Sequence, residues 1–475
     1  MLSKIKTLSE DKRVQNIIFA LWFIVSVIIF VTLQYGIGVD YDESFTWDLV
    51  VCKNFPEMIR ATAEDVHPPL YYLIGKLFVA VFGASIQTLL WDSVVQALLT
   101  CILSWVYVRK NWGWKCALLF NTVVLFAPYQ LHYNLNMRMY SLMNLLAMGV
   151  IFLSLEVIKE GKTHQFVLLY VFSILSVYTQ YFAVLPVVVC YVWLAVIMLK
   201  NKDFKKFRSL FIVGALDVIT FFPWMIYGMK NLGIGPEGRV ENYRFKFTPW
   251  EIVHTFFKCN LENYEIIAMI VLALALVCFI LTWKRFSGTE QSFLVMLIIN
   301  SIFCIYVSQW IGSLNGHDFG MRYIIYVYLF FWLFMIFVFS RAGSATFTLL
   351  AAWALVLCLS SYRVEHAYEY DTTPLMPKTM AFIEENISPD DLVVYDYNEG
   401  FYMIWKYYMP ENELLSFFNM DLEEMRGRTF WFLNLNGTEF SKEDMEKYGI
   451  TVEKYPDMGF MGMERFDFWK VTVAE

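Results

Sequence analysis

Residues 16–35, NIIFALWFIVSVIIFVTLQY, form an uncharged run, and a few residues later come Asp40, Tyr41, Asp42 and Glu43. A run of about 20 apolar residues is long enough to cross a bilayer as a helix. About two dozen residues beyond the acids lies His67-Pro68-Pro69-Leu70-Tyr71-Tyr72. Three carboxylates and a histidine therefore sit at one membrane face, beside an apolar segment able to enter lipid. Ionisable groups at such a depth are costly and usually functional. Acids there suit proton abstraction or cation binding on a substrate that is itself partly buried in lipid.

The rest of the chain extends this reading. Of its 475 residues, 58% are hydrophobic and 19% aromatic, against about 45–50% apolar residues in soluble proteins. The expected fold class is a polytopic α-helical membrane protein with about eleven transmembrane helices and a small C-terminal α/β soluble domain. A net charge of −7 gives no case for nucleic acid as a partner. Lys4, Lys6, Lys12 and Arg13 lead into a full-length span with no small-residue cleavage pattern after it, so the first helix reads as a signal anchor. The eight cysteines include no CxxC pair and so no zinc or redox framework.

Apolar runs predict spans near 16–35, 87–108, 114–129, 138–158, 164–180, 182–199, 209–228, 264–283, 291–311, 322–340 and 345–361. Short loops with Arg109, Lys110, Lys115, Lys159, Lys162, Lys200, Lys205, Lys206 and Arg341 fall on one side, and the positive-inside rule makes that side cytoplasmic. The N-terminus then lies inside, and residues 36–86, 229–263 and 362–475 lie outside, in a multi-pass plasma-membrane protein. Residues 68–82 are short for a span and carry Lys76, so they read as an interfacial helix; a twelfth span is the rival. The domains are expected at 1–361 (membrane, with interfacial helices in the first outer loop, 36–86) and 362–475. In the latter, strand-like 391–395, 429–435 and 466–473 alternate with helix-like 377–386 and 441–448.

The expected outer face collects the chemistry. Asp40-Tyr41-Asp42 is a DxD pattern, and its carboxylates suit either a general base or the cap of a helix starting near Ser44. The prolines after His67 should hold the chain extended and present the ring at headgroup level, to donate to phosphate or bind metal. In Gln130–Ser141, Arg138 opens a span; in Asn315–Tyr323, Arg322 does so after His317 and Asp318. A guanidinium fork fits phosphate, although an arginine can also snorkel to the headgroups. Tyr71, Tyr140, His317 and Asp40 are candidate contacts to substrate or metal. The glycine-bearing 229–263 loop suits either a lid or a plain connection. Outer carboxylates and cations around a lipid-reachable cavity suit transfer of a sugar from a lipid phosphate to a hydroxyl. The leaving phosphate needs a cation and the acceptor needs a base. No nucleotide cofactor is required, and no glycine-rich nucleotide fingerprint is present. A divalent metal on Asp40 and Asp42 stays open. A transporter or flippase of lipid-linked glycans is the alternative; it predicts charges deep in several spans, where Asp217 is read as the one exception.

Asp42-Glu43 after the first span, His67-Pro68-Pro69-Leu70-Tyr71-Tyr72, Arg138-Met139-Tyr140-Ser141 and Arg322-Tyr323 together resemble glycosyltransferase family 39, of the GT-C superfamily. That superfamily includes the protein O-mannosyltransferases and the lipid A aminoarabinose transferase. The resemblance covers most of residues 1–361 in order and spacing. It implies an inverting hexosyl or pentosyl transferase using a polyprenyl-phosphate sugar on the outer face, with a glycan, lipid or protein hydroxyl as acceptor. Its acidic motif maps to Asp42, as base, and Glu43. Donor-phosphate binding falls to Arg138, His67 and Arg322.

Overall fold

The computed structural model describes residues 11–34, 39, 41–65, 67–228, 264–315, 320–372, 375–396, 401–435, 437–461 and 464–475, with isolated positions between 248 and 257. Asp40, His317 and nearly all of the 229–263 loop lie outside the described residues, as does the side chain of Tyr41. The chain divides into two compact units, Met1–Phe30 with Lys53–Val364, and Val31–Cys52 with Glu365–Glu475. The short acidic segment after the first helix thus groups with the C-terminal tail, not with the helices that follow it in sequence.

Among the described residues the helices are α1 (Lys12–Leu33), α2 (Tyr41–Trp47), α3 (Phe55–Glu64), α4 (Leu70–Phe82), α5 (Ile86–Trp112), α6 (Trp114–Phe126), α7 (Gln130–Asn134), α8 (Tyr140–Lys159), α9 (Thr163–Thr179) and α10 (Val184–Lys200). They continue as α11 (Phe204–Gly228), α12 (Tyr264–Thr282), α13 (Gly288–Asn315), α14 (Tyr326–Ala342) and α15 (Ser344–Thr372). Each expected span has its helix. Eight are long and apolar enough to cross a membrane; α6, α9 and α14 are apolar but shorter, as is α4. The multi-pass membrane reading holds. Lys76, the charge inside α4, donates to the Lys53 carbonyl at 2.6 Å, so its ammonium is partnered within the unit.

Burial explains which faces meet lipid. On α1, Ile17, Leu21, Ile24, Ile28 and Val31 are exposed along one stripe, while Phe19 stacks on Trp105 at 4.5 Å and Phe30 on Phe126 at 5.7 Å. α12 exposes Ile266, Ile270, Leu274, Val277 and Leu281. Apolar faces of this extent are stable only against lipid. By contrast α8 and α14 are buried over nearly their whole length and form the centre of the bundle.

The membrane unit has two chemically different ends. At one, Lys110 Nζ lies 2.5 Å from Glu156 and 3.2 Å from Glu160, Lys159 pairs with Asn111, and Arg341 reaches Glu290 at 2.7 Å. Lys162 and Lys110 hold the Glu160 carboxyl down at about 2. Basic residues in the last turns of α5, α8, α10 and α14 also complement the negative ends of those helix dipoles. At the other end α5 and α8 begin, joined through Ser93 Oγ, which donates to the Asn136 carbonyl at 2.7 Å. α5 and α8 therefore run in the same direction, and the candidate residues lie at their starts.

The tail unit holds α16 (Leu375–Asn386), α17 (Phe401–Tyr408), α18 (Lys442–Tyr448) and strands β1 (Leu392–Tyr395), β2 (Glu413–Ser416), β3 (Thr429–Asn434), β4 (Thr451–Met461) and β5 (Glu464–Thr472). The sheet order is β2-β1-β3-β5-β4; the β1 pairings are parallel and those of β5 antiparallel. Strand alternation splits the core. Trp431 and Leu433 join Phe382, Trp405 and Phe468 on one face, while Phe430 and Phe432 join Val394, Tyr448 and Trp469 on the other. Three of the five strands and two of the three helices are those the sequence predicts. β2, the long hairpin strand β4 and α17 are additions. Phe432→Ala, which empties a site of 0% exposure, is expected to destabilise the tail by about 3–5 kcal/mol. Limited proteolysis across a temperature series would show tail cleavage at lower temperature, with the membrane unit still resistant.

Candidate active site

Two groups of candidate residues emerge, one in each unit. The first is built where α4, α5, α8 and the turn before α14 begin. Pro69 is the N-cap of α4, and it delivers His67 into the protein interior. His67 is enclosed by protein rather than open to lipid: it is 4% exposed, and its Nδ1 lies 3.0 Å from Asp65 Oδ2. A carboxylate there orients the ring. Tyr71 and Tyr72 follow on the first turn of α4, both fully buried, with rings 5.7 Å apart. Tyr71 Oη is 3.4 Å from Ser93 Oγ, which ties α4 to α5.

Arg138 does not open a helix. It lies in the turn before α8, its N–H donating to the Asn136 carbonyl at 2.8 Å, and it is only 3% exposed. This burial argues against a side chain snorkelling to the headgroups. Its Nη1 donates to Tyr72 Oη at 3.4 Å. The turn is held by amides: Asn134 Nδ2 donates to the Val124 carbonyl at 2.9 Å and its Oδ1 accepts from Ser141 at 2.9 Å, while Asn144 donates to Gln130 at 2.8 Å. Buried amides locked this way fix the guanidinium's approach in advance. Arg322 likewise precedes its helix, on a 3₁₀ turn (Met321–Ile324), half-buried with its guanidinium 5.4 Å from the Tyr323 ring centre.

Aromatic contacts join several of these residues. His67 and Tyr323 have ring centres 6.1 Å apart, and Tyr129, Tyr133 and Tyr140 form a file at 5.0 and 4.6 Å. Tyr129 adopts φ 70 and is largely buried; burial and its tyrosine neighbours push its phenol up, while the Arg322 guanidinium pulls it down. Two sets of contacts result: Tyr71, Tyr72 and Arg138 form one, and His67, Tyr323 and Arg322, with Tyr129, Tyr133 and Tyr140, form the other. The sequence reading overlooked one member. Asp92, in the second turn of α5, is fully buried, donates no charge to solvent, and accepts from Gln96 Nε2 at 2.7 Å. With Arg138 it lies within electrostatic reach of Tyr71. Asp217 is thus not the one acid inside a span, and the signal for Asp92 was simply its place in an apolar run. Asp217 itself accepts from Tyr191 Oη at 2.6 Å through Oδ2.

The second group is in the tail unit. Asp42 and Glu43 occupy the first turn of α2, where the helix dipole favours negative charge. Asp42 is half-buried and Glu43 is 4% exposed. α2 continues through a π-helical turn, Asp48–Cys52, and packs on α17. Trp47 meets Tyr407 edge-on at 4.8 Å, and Tyr408 Oη accepts from the Val39 N–H at 3.1 Å. Burial, Tyr407 and Glu43 push the Tyr408 phenol up, and the Val39 bond lowers it. The tail thus supplies the surface on which the acidic helix rests, a role no sequence pattern announces. Among the described residues no three of His, Cys, Asp and Glu group as metal ligands.

No protein-family model and no curated relative matches the chain. Solved structures do. ArnT from Cupriavidus metallidurans in the apo state aligns with a TM-score of 0.60 at 10% identity, over 96% of this chain and 98% of that one. The same protein bound to undecaprenyl phosphate aligns with a TM-score of 0.62 at 11% identity, over 95% and 98%. The chain shares this fold over almost its whole length.

Tyr408→Phe keeps the ring and removes the acceptor of a buried N–H, a loss of about 1–3 kcal/mol. Hydrogen exchange of the segment from Val39 to Trp47 is expected to quicken by about tenfold or more, while Tyr407→Phe, which retains the ring contact to Trp47, leaves it unchanged.

Proposed function

We propose that this protein is an inverting glycosyltransferase that moves a sugar from a polyprenyl-phosphate carrier to a hydroxyl acceptor on the extracytoplasmic membrane face. The observation that carries the reading is the buried guanidinium of Arg138 on Tyr72, with buried His67 before α4 and half-buried Arg322 before α14, in a fold shared with an ArnT whose structure holds undecaprenyl phosphate. The basic ends of α5, α8, α10 and α14 support a cytoplasmic location for that end of the unit, by the positive-inside rule, and so an extracytoplasmic one for the end that carries Arg138.

In this reading the acceptor oxygen attacks the anomeric carbon and Asp42 takes its proton. The bond from that carbon to the phosphate oxygen breaks, and its electron pair leaves with the polyprenyl phosphate. Charge grows on the phosphate as the transition state gains oxocarbenium character. Arg138 meets it from a fixed position, with His67, held by Asp65, and Arg322 beside it. Preorganised cations act most strongly where water is excluded. Glu43 adds negative charge beside Asp42. Tyr71 and Tyr140 shape the wall of the donor site, and Asp40 and His317 remain candidate contacts.

The test is release of undecaprenyl phosphate from an undecaprenyl-phosphate sugar by the purified chain, followed by mass spectrometry. Asp42→Asn is expected to lower turnover by about 10²–10⁴-fold with donor binding retained. Arg138→Gln is expected to weaken binding of undecaprenyl phosphate itself. Near-normal transfer by Asp42→Asn removes Asp42 from the base role, and movement of the intact lipid across vesicles without release favours a flippase.

A further inference from the structure

Far from the candidate site, at the basic end of the membrane unit, a groove runs between α9 and α11. Its mouth is lined by Lys162, Lys205, Lys206, Glu160 and Asp203, and its floor by Val167, Tyr170, Val213 and Leu216. Polar residues are thus confined to one end and apolar ones to the other. Gly161, at φ +67, makes the mouth possible: a side chain there would meet the Lys206 stem at 2.2 Å. Because glycine stands there, the Lys206 stem crosses the loop and its ammonium is held 3.4 Å from the Ile158 carbonyl and 3.7 Å from Asp203. Lys162 pairs with Glu160 at 2.7 Å. The groove closes further along, where Tyr170 Oη lies 2.8 Å from Thr220 Oγ1 and Tyr178 donates to the Thr220 carbonyl at 2.9 Å.

We infer that this groove is a binding site for an anionic glycerophospholipid, its phosphodiester held by Lys205 and Lys206 and one acyl chain lying along the α9–α11 floor. Three lysines against two carboxylates leave one net positive charge at the mouth, matched by one phosphodiester. From Lys206 to Leu216 the helix rises about 15 Å, room for most of one acyl chain. Leu168, Ile212 and Leu216 are exposed, so in a bilayer the floor is filled by lipid in any case; the fixed ammonium selects which lipid. Basic pockets between membrane helices recognise acidic headgroups in this way. The inference does not depend on the proposed reaction, since none of these residues belongs to the cationic cluster or to the acidic helix.

The experiment is native mass spectrometry and thermal unfolding of the full chain in detergent, with dioleoyl phosphatidylglycerol or dioleoyl phosphatidylcholine as probe. Wild type is expected to retain one phosphatidylglycerol at least tenfold more than phosphatidylcholine, and to melt at higher temperature with it. The double variant K205Q/K206Q should lose that preference. K200Q/K202Q removes the same charge from the end of α10 and the turn after it, outside the groove, and should keep it. Leu216→Trp, which fills the floor but leaves every lysine, should also lose it. Equal retention of the two lipids by wild type, an unchanged preference in K205Q/K206Q, or displacement of the lipid by millimolar inorganic phosphate would each overturn the inference, the last by showing an ion site alone.

Discussion

A buried guanidinium constrains much of the membrane unit. Arg138 is nearly inaccessible, and a cation taken out of water is tolerated only where donors, acceptors and counter-charges are arranged around it. Tyr72 accepts from the guanidinium, and the amide network of Asn134, Ser141, Gln130 and Asn144 holds the turn that carries it. The same demand explains why the turn before α8 is not a plain helix start. The turn keeps Arg138 inside the unit.

The two ends of the bundle contrast in the same terms. At the basic end, lysines pair with Glu156, Glu160 and Asp203 on short loops, and the charges serve helix dipoles and the groove between α9 and α11. At the other end the cations are deep, and their neighbours are rings. Exposed ion pairs contribute little to stability, so the basic end adds little to the free energy of the fold. A charge acts most strongly where water is excluded and its position is fixed.

The acidic helix follows a different logic. It is too short to persist alone, and one turn of dipole does not hold it in place. In the tail unit it gains a surface, through Trp47 on Tyr407 and the Val39 N–H on Tyr408. α17 in turn presses Trp405 into the sheet core. The C-terminal domain is thereby coupled to the segment that carries Asp42.

Eleven apolar runs determine the helices, because a membrane span must satisfy its backbone internally and must be long enough to cross, and both demands are local. Strand alternation in 391–395, 429–435 and 466–473 determines most of the tail sheet for a similar reason. The motifs around His67, Arg138 and Arg322 were also legible as motifs. Their depth was not: His67 is buried rather than presented, Arg138 is enclosed rather than snorkelling, and Asp92 looks like an isolated acid until α5 is placed against α4 and α8. Nor did the sequence reveal that residues 31–52 belong with a tail more than three hundred positions away, or that α17 supports the acidic helix. Burial and long-range partnership are sums over contacts from distant parts of the chain, so only the packed structure decides them.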